Sequence, residues 1–218
     1  NILRACLQHN VKRIVVTSSG AAYGYHADNP VPLQEQHATR GNKAFAYADH
    51  KRQVEEMLCE ARATQPQLEQ VVLRVGTVLG ERVDNQITAL FHKKRLLGVL
   101  GYDSPFVFIW DEDLAAILER SIAEGPVGVY NVCGDGAISI EEIANTLGKS
   151  TLKLPATLMR LGLYLGSSSG LSRYGPEQLV FLQYRPVLDN QRLKDTFGYT
   201  PQYSSKQAFD RWVEHTGL

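Results

Sequence analysis

Long hydrophobic runs are missing from this sequence of 218 residues, and without a stretch of eighteen or more uncharged apolar residues no segment reads as a membrane-spanning helix. An excess of either charge is missing too: 23 Lys and Arg balance 23 Asp and Glu, with no block of like charges. That removes the electrostatic footprint of a nucleic-acid binder. Cysteine is scarce, and Cys6, Cys59 and Cys133 are too widely spaced for a disulfide framework or a metal site, which points to a reducing, cytoplasmic setting. The six histidines, His9, His26, His37, His50, His92 and His215, likewise lack metal-ligand spacing, so the expectation is no metal, no nucleic acid and no membrane. What is present is 44% hydrophobic content, enough for a sizeable core. Because Asn1 and not Met opens an apolar helical pattern, the chain reads as part of a longer polypeptide.

Periodicity gives the coarse order. Ile2, Leu3, Cys6 and Leu7 recur at helical spacing, and Ile14-Val15-Val16-Thr17 follows as a β-branched run ending at Ser18-Ser19-Gly20. A long polar loop to about Asn42 precedes a helix over Ala44 to Ala63, stopped by Pro66. Val71 to Val75 is a second strand, and Ile87 to Leu97 reads as a helix. Phe106 to Trp110 is read as a buried strand or as part of a substrate pocket. Asp111, Glu112 and Asp113 then open a helix over Leu114 to Ala123, where carboxylates suit the helix dipole. Val129 to Val132 is a third β run, and Ser139 with Glu142 has capping-box spacing. Leu154, Leu158, Leu161 and Leu165 form a stripe read as packing, Gly166 to Gly170 a break, and Lys206 to His215 a closing helix. Strands alternating with helices imply an α/β fold, a parallel sheet with helices on its faces.

The most informative local feature is Tyr47-Ala48-Asp49-His50-Lys51, since residues four apart share a helix face and set a phenol beside an ammonium. Such a neighbour favours the phenolate and can make a proton-transfer group. The same spacing arises by chance on helix surfaces, so context decides. Ser18-Ser19 ends a parallel strand, where open α/β sheets place ligands, and the Tyr47 helix comes next.

Thr17-Ser18-Ser19-Gly20-Ala21-Ala22-Tyr23-Gly24, then Tyr47 to Lys51, then Leu73-Arg74-Val75-Gly76-Thr77-Val78-Leu79-Gly80 resembles the extended short-chain dehydrogenase/reductase superfamily, in its NAD-dependent epimerase/dehydratase branch. Asn1 to Arg13, Phe106 to Ala115, Tyr130-Asn131-Val132 and Val187 to Pro201 extend the resemblance over nearly the whole chain. It implies a partial Rossmann-like, doubly wound parallel sheet over residues 1–150, with a small C-terminal substrate-binding lobe and closing helix over 151–218. It also implies Ser19, Tyr47 and Lys51 as catalytic residues, Tyr47 being the acid/base. It further implies Ser18, Tyr47, Lys51, Arg74, Gly76 and Thr77 along a bound NAD or NADP, a small-molecule substrate and a homodimer. The implied activity is that of an NAD(P)-dependent oxidoreductase or epimerase acting on a secondary alcohol or carbonyl, a nucleotide sugar among the options. Gly20 and Ala21, where the family's dehydratases carry acidic residues, disfavour dehydration. Family enzymes for sugar nucleotides carry an arginine in the segment that is Phe106 to Trp110 here, which leaves Arg173, Arg185 and Arg192 as alternative phosphate contacts. The Gly-rich turn that holds the cofactor pyrophosphate is not in this sequence. Gly134-Asp135-Gly136 reads as an ordinary strand-to-helix turn, so the adenosine half of the site is expected upstream, and weak cofactor affinity is expected of these residues alone. The alternative is a non-catalytic fragment or scaffold that keeps the fold.

Overall fold

The computed structural model describes residues 1–170 and 175–218. Three strands, β1 (Arg13–Ser19), β2 (Glu69–Val75) and β6 (Gly128–Val132), form a parallel sheet in the order β1-β2-β6. Among the described residues β1 has no strand on its other edge. Alternate side chains of β2 serve opposite faces. Val71, Leu73 and Val75 pack with Ile117 of α4 (Asp111–Ala123), whereas Gln70 and Arg74 meet Arg62 and Glu55 of α2 (Ala46–Thr64). Helices therefore cover both faces, as a doubly wound sheet requires. α2 runs unbroken because no Gly or Pro interrupts it before Pro66. The helix α1 (Ile2–Gln8) precedes β1.

After Gly76 the chain continues into β3 (Thr77–Leu79), which pairs in parallel with β5 (Phe108–Trp110). All of Phe106 to Trp110 is buried, so this stretch is core; Phe106, Phe108 and Trp110 pack with Phe209 and Trp212 of α8 (Ser205–Thr216). The capping box of α5 (Ile140–Thr146) forms as expected, Ser139 Oγ accepting from the Glu142 amide while the Glu142 carboxylate accepts from the Ser139 amide.

Two expectations are corrected. The helix read over Ile87 to Leu97 stops early: α3 is only Gln86–Phe91, and Arg95–Val99 is a strand, β4, paired in parallel with β7 (Ser150–Leu154). That pairing is with a segment distant in sequence, and it overrides a local pattern compatible with a helix. Leu154 belongs to β7; Pro155 separates it from α6 (Ala156–Ser168), which passes through Gly166. Leu158, Leu161 and Leu165 are exposed, whereas packing was expected of them; the face of α6 that packs carries Met159 and Leu163 instead. A short helix, α7 (Leu179–Gln183), follows.

Candidate active site

Parallel register lines up the carboxyl ends of the strands: Ser19 stands beside Val75, and Val75 beside Val132. Ser19 ends β1 in extended conformation and caps the tight 3-10 turn Gly20–Tyr23, its Oγ accepting from the Ala21 amide at 3.1 Å. Its hydroxyl hydrogen has no acceptor among the described residues. α2 crosses closely over this turn because Ala48, fully buried, is small enough to sit against Ala21 and Tyr25. That crossing delivers the next turn of the helix to the strand end: Lys51 Nζ donates to the Thr17 carbonyl at 2.8 Å. The same ammonium lies 5.7 Å from the centre of the Tyr47 ring, and Tyr47 is 53% exposed, open to a ligand. An ammonium carries three donors, so two remain on Lys51 for a phenolic oxygen or ribose hydroxyls.

Beneath this rim lies a buried polar network. Ser18 Oγ donates to Glu55 at 2.5 Å, and Glu55 forms an ion pair with Arg74 at 2.6 Å. Arg74 also donates to the Tyr23 hydroxyl at 2.7 Å and to the Glu35 carbonyl at 3.0 Å, and Tyr23 donates to Asn131 at 2.8 Å. Burial pushes the Tyr23 phenol up to about 12 against the pull of Arg74. Ser18 and Arg74, expected along the cofactor, are thus turned inward; their hydrogen bonds are spent on Glu55 of α2 and, for Arg74, also on Tyr23 and the Glu35 carbonyl. The amides of Gly76 and Thr77 are also occupied, donating to the carbonyls of Val132 and Val107. Those positions can offer a ligand other atoms but not their N–H groups. Glu55, Tyr23 and Asn131 were missed in the sequence. The signal was there: an arginine inside the apolar run Val71 to Val75 requires a buried carboxylate, and Glu55 lies one further turn along the Tyr47–Lys51 face.

On the C-terminal side, the Arg185 guanidinium stacks 3.6 Å from the Phe106 ring centre and 4.5 Å from that of Phe181. Its Nη1 donates to the Ser104 carbonyl, its Nε has no partner, and it pairs with no carboxylate among the described residues. Burial draws this guanidinium below its usual range. Arg192 lies over the Tyr130 ring, and Arg173 falls outside the described residues. A cleft of about 330 Å³ borders the start of α2, lined in part by His26, Arg40, Asn42, Phe45 and Val180. Cys133 is fully buried, and burial pushes its thiol upward, as an inert cysteine would show.

The nicotinamide side of a dinucleotide fits this rim through the Lys51 ammonium and the exposed Tyr47 phenol. The described residues do not build a pyrophosphate cradle. In Gly134-Asp135-Gly136 the close approach at Gly134 is to protein backbone, since a Cβ there would lie 2.3 Å from the Tyr203 carbonyl oxygen. Asp135 pairs with Lys194, and the Glu142 carboxylate occupies the start of α5, so both sites repel phosphate.

The profile of the NAD dependent epimerase/dehydratase family matches residues 1–133. The chain belongs to that family, whose cofactor is NAD. An uncharacterised protein of Mycobacterium tuberculosis is 22% identical over 209 residues, covering 96% of this chain and 56% of its own length. Another, from Sinorhizobium fredii, is 26% identical over 208 residues, covering 90% of this chain and 51% of its own length. The chain thus spans about half the length of these curated relatives. Among solved structures, dTDP-glucose 4,6-dehydratase from Bacillus anthracis in complex with NAD matches with a TM-score of 0.72 at 16% identity, over 99% of this chain and 65% of that one. UDP-glucose 4-epimerase from Thermus thermophilus, also with NAD, matches with a TM-score of 0.69 at 21% identity, over 98% of this chain and 67% of that one. These likenesses show the Rossmann-like fold. No helix among the described residues is long and apolar enough to cross a membrane.

Proposed function

We propose that the protein containing this chain oxidises or reduces a secondary alcohol or carbonyl, or epimerises it by oxidation and re-reduction, on a small phosphate-bearing substrate of the nucleotide-sugar class. The observation that carries this reading is Lys51, one helical turn from the exposed Tyr47, held against the carbonyl of Thr17, which lies two residues before Ser19. Ser19 donates its unspent hydroxyl hydrogen to the substrate oxygen and fixes its position. Tyr47 takes the proton of that oxygen when an alcohol is oxidised and returns it when a carbonyl is reduced. Lys51, anchored by Thr17, keeps donors for the phenolic oxygen and for ribose hydroxyls. The nicotinamide, when bound, supplies or accepts the hydride. Arg185, cationic and without a carboxylate, suits the substrate phosphate. Gly20 and Ala21 offer no acid/base group beside Ser19, which favours oxidoreduction or epimerisation over loss of water. The NAD dependence of the family, and structural neighbours that are a dTDP-glucose 4,6-dehydratase and a UDP-glucose 4-epimerase, support the reading.

A non-catalytic scaffold that keeps the fold is the second reading, favoured by the inward turn of Ser18 and Arg74. Tyr47→Phe in the full-length protein separates the two. With nucleotide sugars and NAD, the variant is expected to lose about a hundredfold to ten-thousandfold in turnover, the usual worth of a general acid/base. Unchanged turnover, or none in the wild-type protein across nucleotide sugars, ends the catalytic reading.

A further inference from the structure

Away from the rim, the β4–β7 pair and α6 form a surface that the proposed reaction does not use. Arg95, Leu97 and Val99 project from one face of β4, level with Ser150, Leu152 and Leu154 of β7. Val99 is buried against Met159 of α6, so the helix covers one end of this face only. One step along, Leu97 and Leu152 are 44% and 40% exposed. α6 is apolar on both sides: Met159 and Leu163 face inward, while Leu158, Leu161 and Leu165 are 57%, 54% and 57% exposed on the other. A helix with exposed leucines on its outer side calls for a cover there, and exposed apolar side chains grouped in this way mark a docking surface.

Charge identifies the cover. Over residues 92–102 and 149–170 the chain carries Lys93, Lys94, Arg95, Lys149, Lys153 and Arg160 but no Asp or Glu, although the whole sequence is balanced. Lys153 is paired with Glu141 and Lys149 donates to the Phe91 carbonyl. Lys93, Lys94, Arg95 and Arg160 remain exposed; Arg95 ends the bare β4 face, Lys93 and Lys94 lie just before it, and Arg160 flanks the leucines on α6. We propose that this face docks on an anionic lipid surface, with Leu158, Leu161 and Leu165 entering the boundary between headgroups and acyl chains and the four cations meeting lipid phosphates. A second copy of the chain fits less well, since a symmetric contact would gather the same cations with no carboxylate from either segment to pair them. A nucleic acid would leave the leucines uncovered.

The test is co-sedimentation of the full-length protein with vesicles of equimolar phosphatidylcholine and phosphatidylserine, against vesicles of phosphatidylcholine alone. The expected result is binding about tenfold or more tighter on the anionic vesicles, reversed by salt. A Leu161→Ser, Leu165→Ser variant and a Lys93→Glu, Lys94→Glu variant are each expected to lose about tenfold or more, with unchanged circular dichroism. The proposal is overturned if the protein sediments with neither vesicle, or if both variants bind as the wild type does. It is also overturned if sedimentation equilibrium shows a dimer that the leucine variant abolishes while vesicles go unbound. None of these readouts involves turnover, so the proposal stands or falls apart from the catalytic one.

Discussion

Two tyrosines near the sheet rim have opposite surroundings. Tyr47 is open to solvent beside an ammonium, whereas Tyr23 is fully buried with its hydroxyl shared among Arg74, Asn131 and the Gln34 carbonyl. In the fold Tyr23 keeps its proton to about 12, while in the unfolded chain it titrates at the ordinary value of 10. Between those values the unfolded chain has given up a proton that the folded chain retains, so stability falls as pH rises through that window. Tyr23→Phe is expected to flatten this alkaline loss while lowering stability near neutrality by about 1–3 kcal/mol, because Arg74 and Asn131 lose a partner. Urea unfolding at stepped pH measures both; an unchanged alkaline slope would show that Tyr23 is not its source. The proposed site was legible only in part. Ser19, Tyr47 and Lys51 stand out by spacing, but the inward turn of Ser18 and Arg74 depends on Glu55, to which only the buried arginine's need for a carboxylate partner points.

At the scale of elements, α2 is the part that must not move, since it alone carries Tyr47 and Lys51. Among the contacts that hold it are the close approach of Ala48 to Ala21, and Glu55, which binds Ser18 of β1 and Arg74 of β2 together. Removing one partner of a buried ion pair leaves the other uncompensated, so Glu55→Ala is expected to cost about 3–5 kcal/mol. Replacing both charges, Glu55→Leu with Arg74→Met, is expected to recover much of that loss. Thermal unfolding reads the difference, and a double variant as unstable as the single one would contradict the account. Elements with a strong local signature were readable from the sequence: α2 from its unbroken run of helix formers, α5 from its capping box, β2 from its apolar run. β4 and β7 were not, because each is a strand only by virtue of the other, far along the chain.

For the whole molecule, charge balance and composition exclude much, but they average over surfaces that differ. The rim of the parallel sheet gathers a hydroxyl, a phenol and an ammonium, while the far lobe gathers leucines and cations. The parallel sheet and its two-sided cover follow from alternation of strands and helices, whereas the strand order and the bare face of α6 appear only in the structure, where Met159 and Leu163 claim the opposite side of that helix. The central claim is geometric: Ser19, Tyr47 and Lys51 converge on one reacting oxygen at the carboxyl rim. A crystal structure of the full-length protein with NAD and a nucleotide sugar tests it most directly. The account predicts a single sugar oxygen within hydrogen-bond reach of both Ser19 Oγ and Tyr47 Oη, with Lys51 Nζ on the adjoining ribose. A sugar bound with its oxygens away from both hydroxyls would contradict it.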